Sequence, residues 1–154
     1  MRIDYRNVRP DALKALAGAQ RTVEASGLEP ALLELVKIRS SQLNGCAFCL
    51  DMHTKDARAM GETEQRLYLV PAWREAPVYS DRERAALAWC EAVTLVSESG
   101  VPDDVYAFVA EHFSEGEIVD LTLAVIAING WNRMAIAMRS PVGNYEPRVR
   151  TSAS

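Results

Sequence analysis

Glu34-Leu35-Val36-Lys37-Ile38-Arg39-Ser40-Ser41-Gln42-Leu43-Asn44-Gly45-Cys46-Ala47-Phe48-Cys49-Leu50-Asp51-Met52-His53 is the stretch whose reading decides the fold. Its apolar residues keep a helical period. With Leu32 just upstream, Leu35, Val36 and Leu43 lie along one stripe of a 3.6-residue repeat. Pro30 suits the first position of that helix, where a missing N–H costs nothing. Asn44-Gly45 is a turn signal that breaks it. The next helix begins near Cys46 and stops at Gly61.

The same reading extends in both directions. Leu13, Leu16, Ala17 and Gln20 follow the helical period from about Pro10 to Ala25, and Gly27 stands where a C-terminal stop belongs. A fourth helix is predicted from Thr63 to about Trp73, ending before Pro77. Ser80 and Glu83 have the spacing of a capping box and open a fifth, which carries Leu87, Trp89, Cys90, Val93 and Val96. Gly100 closes the following turn, and Pro102 opens a sixth with Val105, Phe108 and Val109. Ser114 and Glu117 repeat the capping box and start a seventh, apolar on nearly every side through Ala127. Such a helix is the buried centre of a bundle or a subunit interface, and the chain is predicted to associate. The tail after Pro141 is polar, predicted to be loosely ordered or draped over a neighbour. Strand-like alternation is almost absent and no repeat is visible. The fold class is all-α, a single-domain helical bundle of about seven helices.

Bulk properties exclude several classes. The chain has 154 residues, 49% hydrophobic and 25% charged, which fits one globular domain with a sizeable core. The net charge is -4 with no Lys/Arg cluster, so no nucleic-acid partner is expected. The N-terminus lacks the apolar segment of a signal peptide. Asp120 and Thr122 interrupt the longest apolar run, Ile118 to Ile128, which is shorter than the ~20 residues of a bilayer span. The expectation is a cytoplasmic protein without a membrane partner. That compartment keeps thiols reduced, so a cysteine pair there reads as catalytic or metal-binding rather than as a structural bridge.

The chemistry-bearing residues are Cys46, Cys49, His53 and Glu34. Residues three apart share a helix face, so the sulfurs of Cys46 and Cys49 can meet. In a first turn both feel the positive end of the helix dipole, which favours thiolate, the reactive species. His53 lies one turn beyond Cys49 and can accept or pass a proton. If the Asn44-Gly45 turn folds the two helices together, Glu34 approaches His53, and a carboxylate, an imidazole and two thiols form a proton relay.

Other readings stand beside this one. A Cys-x-x-Cys can be half of a zinc site, with Cys90 and His112 as the other soft candidates, on distant helices and without knuckle spacing. The pair can also be two small buried hydrophobes. Glu34 alone reads as a solvated helix residue, Cys90 as core packing, and His112 as an imidazole near a helix C-terminus. Trp131, Asn132 and Arg133 stand out in the last helix as interface or pocket-lining residues.

At these residues the chain resembles the AhpD-like alkylhydroperoxidase family within the carboxymuconolactone decarboxylase superfamily. The shared pattern is a Glu twelve residues before Cys-x-x-Cys and a His four residues after it, here Glu34, Cys46, Cys49 and His53. Arg39 and Ser40 suit the run before the cysteines, and Asn129 to Arg133 resembles the last helix of smaller peroxidase-related members. The core likeness spans about residues 32 to 94. The resemblance implies a helical bundle assembled as a trimer or hexamer. It implies reduction of an alkyl hydroperoxide substrate, or disulfide exchange, with electrons from a dithiol or a thioredoxin- or lipoamide-like reductant. No cofactor or metal is implied beyond a redox-active Cys46–Cys49 disulfide. In the family pattern Cys49 attacks the peroxide, Cys46 donates the proton and closes the disulfide, and Glu34 and His53 relay protons. Some members carry a second His between the cysteines. Ala47 and Phe48 stand there in this chain, which implies a shorter relay. Two rivals remain at this point: a redox-sensing or adaptor module that forms mixed disulfides, and a lactone decarboxylase, whose chemistry does not require a cysteine pair.

Overall fold

Capping residues and proline set most of the helix boundaries. In the computed structural model, which describes residues 1–147, the helices are α1 (Tyr5–Val8), α2 (Pro10–Glu24), α3 (Pro30–Asn44), α4 (Ala47–Ala59), α5 (Glu64–Leu69), α6 (Asp81–Thr94), α7 (Val96–Ser99), α8 (Asp103–Ala110) and α9 (Glu115–Met138). Nine helices stand among the described residues where about seven were expected. The two additions, α1 and α7, are four residues long, too short to show a period. The predicted helix to Trp73 divides. α5 ends at Leu69 and a 3-10 turn, Val70–Ala72, follows. Pro71 lacks the N–H that would continue the α ladder.

Both predicted capping boxes form. Ser80 Oγ accepts the Glu83 N–H at 3.2 Å while the Glu83 carboxylate accepts the Ser80 N–H at 2.8 Å. Ser114 and Glu117 do the same at the start of α9. Each box satisfies two backbone donors that a helix start otherwise leaves open.

α3 is the most enclosed helix. Leu32, Leu33, Leu35, Val36 and Ile38 are all buried, because α4, α6 and α9 pack around it. Side chains of this size each contribute about 1.5–3 kcal/mol when buried. One apolar cluster joins α3 to α6 and α9 through Val36, Cys90, Leu121 and Val125. A second joins α3 to α6 and the 3-10 turn through Leu35, Ile38, Val70 and Leu87. A third is small and seats the start of α4 on α9: Cys46, Cys49 and Ala135, with Phe48 against them.

α9 continues past the apolar run to Met138. By length and composition alone it could cross a membrane, which corrects the expectation that no segment is long enough. Here it packs against α2, α3 and α6. Val119 is 67% exposed and Ile126 55% exposed on its outer side. At Gly130 the backbone approaches α2 so closely that a Cβ would stand 2.9 Å from Leu16 Cδ1. The start of the tail lies back along α4: the Gly143 N–H donates to Asp51, Lys55 donates to the Tyr145 carbonyl, and the Tyr145 hydroxyl donates to Asp56.

Candidate active site

Gly45 adopts φ +67, ψ +33, the left-handed conformation that glycine enters without a Cβ penalty. The chain turns there. The Cys46 N–H then reaches back to the Ser41 carbonyl at 2.9 Å, which closes α3. The same residue opens α4. Cys46 has extended backbone angles, and its sulfur accepts the Cys49 N–H at 3.3 Å, the role that Ser, Thr or Asp takes at most helix starts. With so short a connection α3 and α4 lie side by side, and Glu34 meets His53.

That meeting is direct. Glu34 Oε2 is 2.8 Å from His53 Nδ1, and Glu34 Oε1 is 2.7 Å from Lys37 Nζ. Burial works to raise the carboxyl pKa of Glu34. The hydrogen bond from His53, with the charges of His53 and Lys37, outweighs it and holds the pKa below its ordinary value. An ionised carboxylate can only accept, so His53 Nδ1 carries the proton in this bond.

The two thiols are both buried but differ in setting. The hydrogen bond that Cys49 donates is the main cause that brings the Cys46 thiol down to about 7; burial opposes it, and the Cys49 N–H and Asn132 assist. Donating that bond, together with burial, pushes the Cys49 thiol well above its ordinary value. As the pH rises through about 7 the pair therefore goes from two protons to one held between two sulfurs. Only Cys49 borders open space. It lines an inner cavity of about 430 Å³ together with His53, Phe48, Met52 and Trp131. A wider outer groove of about 1200 Å³ shares Lys37, Phe48, Met52 and His53 with the cavity and is also lined by Glu34.

The structure thus brings Glu34, His53 and Cys49 to one place, with Cys46 behind Cys49 at the helix start. The remaining soft residues lie elsewhere. Cys90 is enclosed in the core, 3.0 Å from Ser40 Oγ, and burial pushes its thiol up to about 11. His112 packs edge-on against Phe108. Among the described residues, one group has metal-ligand spacing: Glu34, His53 and Asp56. Its donors already serve protein partners: Glu34 binds Lys37 and His53, and Asp56 accepts from Tyr145. Arg39 and Ser40 turn to α6, where Arg39 binds Glu91 at 2.7 Å and Ser40 meets Cys90.

The three residues that stood out in the last helix part company. Arg133 bonds to Asn129 at the surface. Trp131 lines the inner cavity. Asn132 is fully buried, accepts from Asn44 at 2.8 Å and donates to Ser41 Oγ at 3.0 Å. Its side chain also lowers both thiol pKa values. The signal for Asn132 was an amide inside an apolar helix, a position where a buried polar group must find partners.

The family model for carboxymuconolactone decarboxylase matches residues 10–92, more than half of the chain. The chain belongs to the carboxymuconolactone decarboxylase family. The uncharacterised protein YdfG of Bacillus subtilis (strain 168) is 47% identical over 137 residues, 89% of this chain and 93% of YdfG. A solved protein of unknown function from Agrobacterium tumefaciens, described as a candidate AhpD antioxidant defence protein, is 46% identical. It superposes with a TM-score of 0.89, covering 94% of this chain and 99% of that one. The debrominase Bmp8 shares the fold at 21% identity and a TM-score of 0.78, over 88% of this chain and 73% of its own. Within the family the chain is AhpD-like, and the all-α bundle is the fold of these neighbours.

Proposed function

We propose that this AhpD-like chain is a thiol peroxidase and disulfide oxidoreductase that reduces alkyl hydroperoxides. One observation carries the reading: Cys49 opens on a cavity that also holds His53, whose other ring nitrogen is bonded to buried Glu34, while Cys46 sits behind as a hydrogen-bond partner. The proton shared by the two sulfurs moves to Cys46, which leaves Cys49 as thiolate facing the cavity. Cys49 attacks the distal oxygen of R–O–OH. The S–O bond forms, the O–O bond breaks, and its electron pair leaves on the alkoxide. Cys46 or the His53–Glu34 pair supplies the proton that makes the alcohol. Cys46 thiolate then displaces hydroxide from the Cys49 sulfenic acid and forms the disulfide, and the hydroxide takes a proton to become water. A dithiol donor of thioredoxin or lipoamide type reopens the disulfide by exchange. The cycle needs no bound cofactor and suits the reducing cytoplasm. We place it in a homo-oligomer, since α9 keeps an apolar outer side.

Peptide mass analysis after one equivalent of cumene hydroperoxide tests this reading. The expected result is an internal Cys46–Cys49 disulfide in the wild type and none in Cys49→Ser. Full turnover in Cys49→Ser, or thiols that ignore the peroxide, would overturn it. Trapping of a partner by Cys46→Ser without peroxide turnover would mark a sensor or adaptor instead.

A further inference from the structure

The cavity beside Cys49 carries a donor that the fold leaves unused. The chain has three tryptophans. Trp73 gives its indole N–H to Glu91 at 2.8 Å, and Trp89 gives its own to Thr122 Oγ1 at 3.0 Å. Trp131 Nε1 is buried but has no hydrogen-bond partner among the described residues. Leaving a buried N–H unsatisfied costs about 1–3 kcal/mol, and folded proteins leave few such groups. Trp131 is itself one of the residues that line the cavity, so a ligand there meets a side chain whose donor lacks an acceptor. The other residues that α9 gives to that wall are Ala124, Ala127, Ile128 and Ala135. Trp131 is therefore the polar contribution of α9 to a space whose α4 side carries Cys49 and His53.

We propose that the Trp131 indole N–H is the group that holds the substrate's oxygen. It donates to the proximal oxygen of an organic hydroperoxide whose apolar body fills the cavity, and so aims the distal oxygen at Cys49. This rests on the peroxidase reading and adds a residue to it. As the O–O bond breaks, negative charge develops on the proximal oxygen. A donor already in place there binds the transition state more strongly than the substrate. The alcohol product keeps the acceptor oxygen and the apolar body.

The test separates binding from chemistry. Cumyl alcohol, the product of cumene hydroperoxide reduction, is added to the reduced wild-type protein, and the indole N–H resonances are followed by proton–nitrogen NMR. Trp131→Phe assigns the signal. The expected result is a downfield shift of the Trp131 resonance, with those of Trp73 and Trp89 unmoved. Trp131→Phe keeps an aromatic ring and removes the N–H. It should slow disulfide formation by cumene hydroperoxide about tenfold, the loss of one good hydrogen bond. A Trp131 resonance that stays in place with the alcohol, whether or not the alcohol binds, overturns the inference. So does a Phe variant that forms the disulfide with cumene hydroperoxide at the wild-type rate. Wild-type thiols that ignore cumene hydroperoxide while the Trp131 resonance still shifts would sink the peroxidase reading and leave the indole as a ligand donor.

Discussion

Glu34→Gln removes one charge from a buried trio and preserves the shape of the side chain. The Glu34 and Lys37 side chains are 7% and 13% exposed, so solvent screening weakens this pair far less than one at the surface. Removing one partner of a buried pair costs about 3–5 kcal/mol, because the other charge stays behind unpaired. Lys37 borders the outer groove, where water can reach its ammonium, and Gln keeps one acceptor oxygen. Both effects reduce the loss, to about 2–3 kcal/mol. The pH dependence has a definite sign. The carboxyl pKa of Glu34 is lowered in the fold from an ordinary 4.5. Its contribution is therefore complete above 4.5 and is lost as the pH falls through the folded value below that point. Urea unfolding followed by far-ultraviolet circular dichroism, at one chain concentration, should show the full gap between wild type and variant at neutral pH. The gap should narrow on acidification below 4.5. A neutral-pH gap under about 1 kcal/mol would refute the buried-pair argument. So would a gap that does not change with pH. If the pair also relays protons, disulfide formation in the variant should slow by about 10²-fold.

Thiolate absorbance should report one ionisation per chain with a midpoint near 7, lost in Cys46→Ser, with Cys90 silent until about 11. A first rise only near the ordinary 9.0 would mean that the two sulfurs do not share a proton. Asn132→Leu should move that midpoint upward and cost about 1–3 kcal/mol, since Ser41 and Asn44 lose their buried partner; an unmoved midpoint would remove Asn132 from the thiolate's setting. Gly130→Leu should destabilise by about 1–3 kcal/mol by forcing α2 away from α9. Gly130→Ala should come out near neutral, because the Leu16 tip can turn aside and alanine gains about 1 kcal/mol in a helix. Thermal unfolding of the two variants checks this, and a Leu variant as stable as wild type would contradict the close approach.

Local signals were legible where one residue type has one physical use. The Pro30 start, the Gly45 stop and the two Ser/Glu capping boxes lie where their chemistry demands, because each satisfies or omits a backbone group within four residues. The one-turn helices α1 and α7 were not legible, since four residues carry no period. The break at Val70 was half-legible: Pro71 was in view, but the apolar spacing ran on through Trp73. The last helix carries Trp131, Asn132 and Arg133, as the sequence suggests; its end at Met138 had no glycine stop to mark it, since Arg139 takes the left-handed cap position.

The sequence by itself determined the helical class, the turn at Asn44-Gly45 and the spacing of the four residues Glu34, Cys46, Cys49 and His53, since these depend on backbone propensity and chain distance alone. Only the tertiary structure decided which sulfur faces a cavity, that Lys37 shares the Glu34 carboxylate, and that α9 delivers Trp131 and Asn132 to the thiols from more than 80 residues away. Those relations depend on how helices pack across the core. Side chains far apart in sequence become neighbours there only when burial of the apolar faces around them fixes the approach.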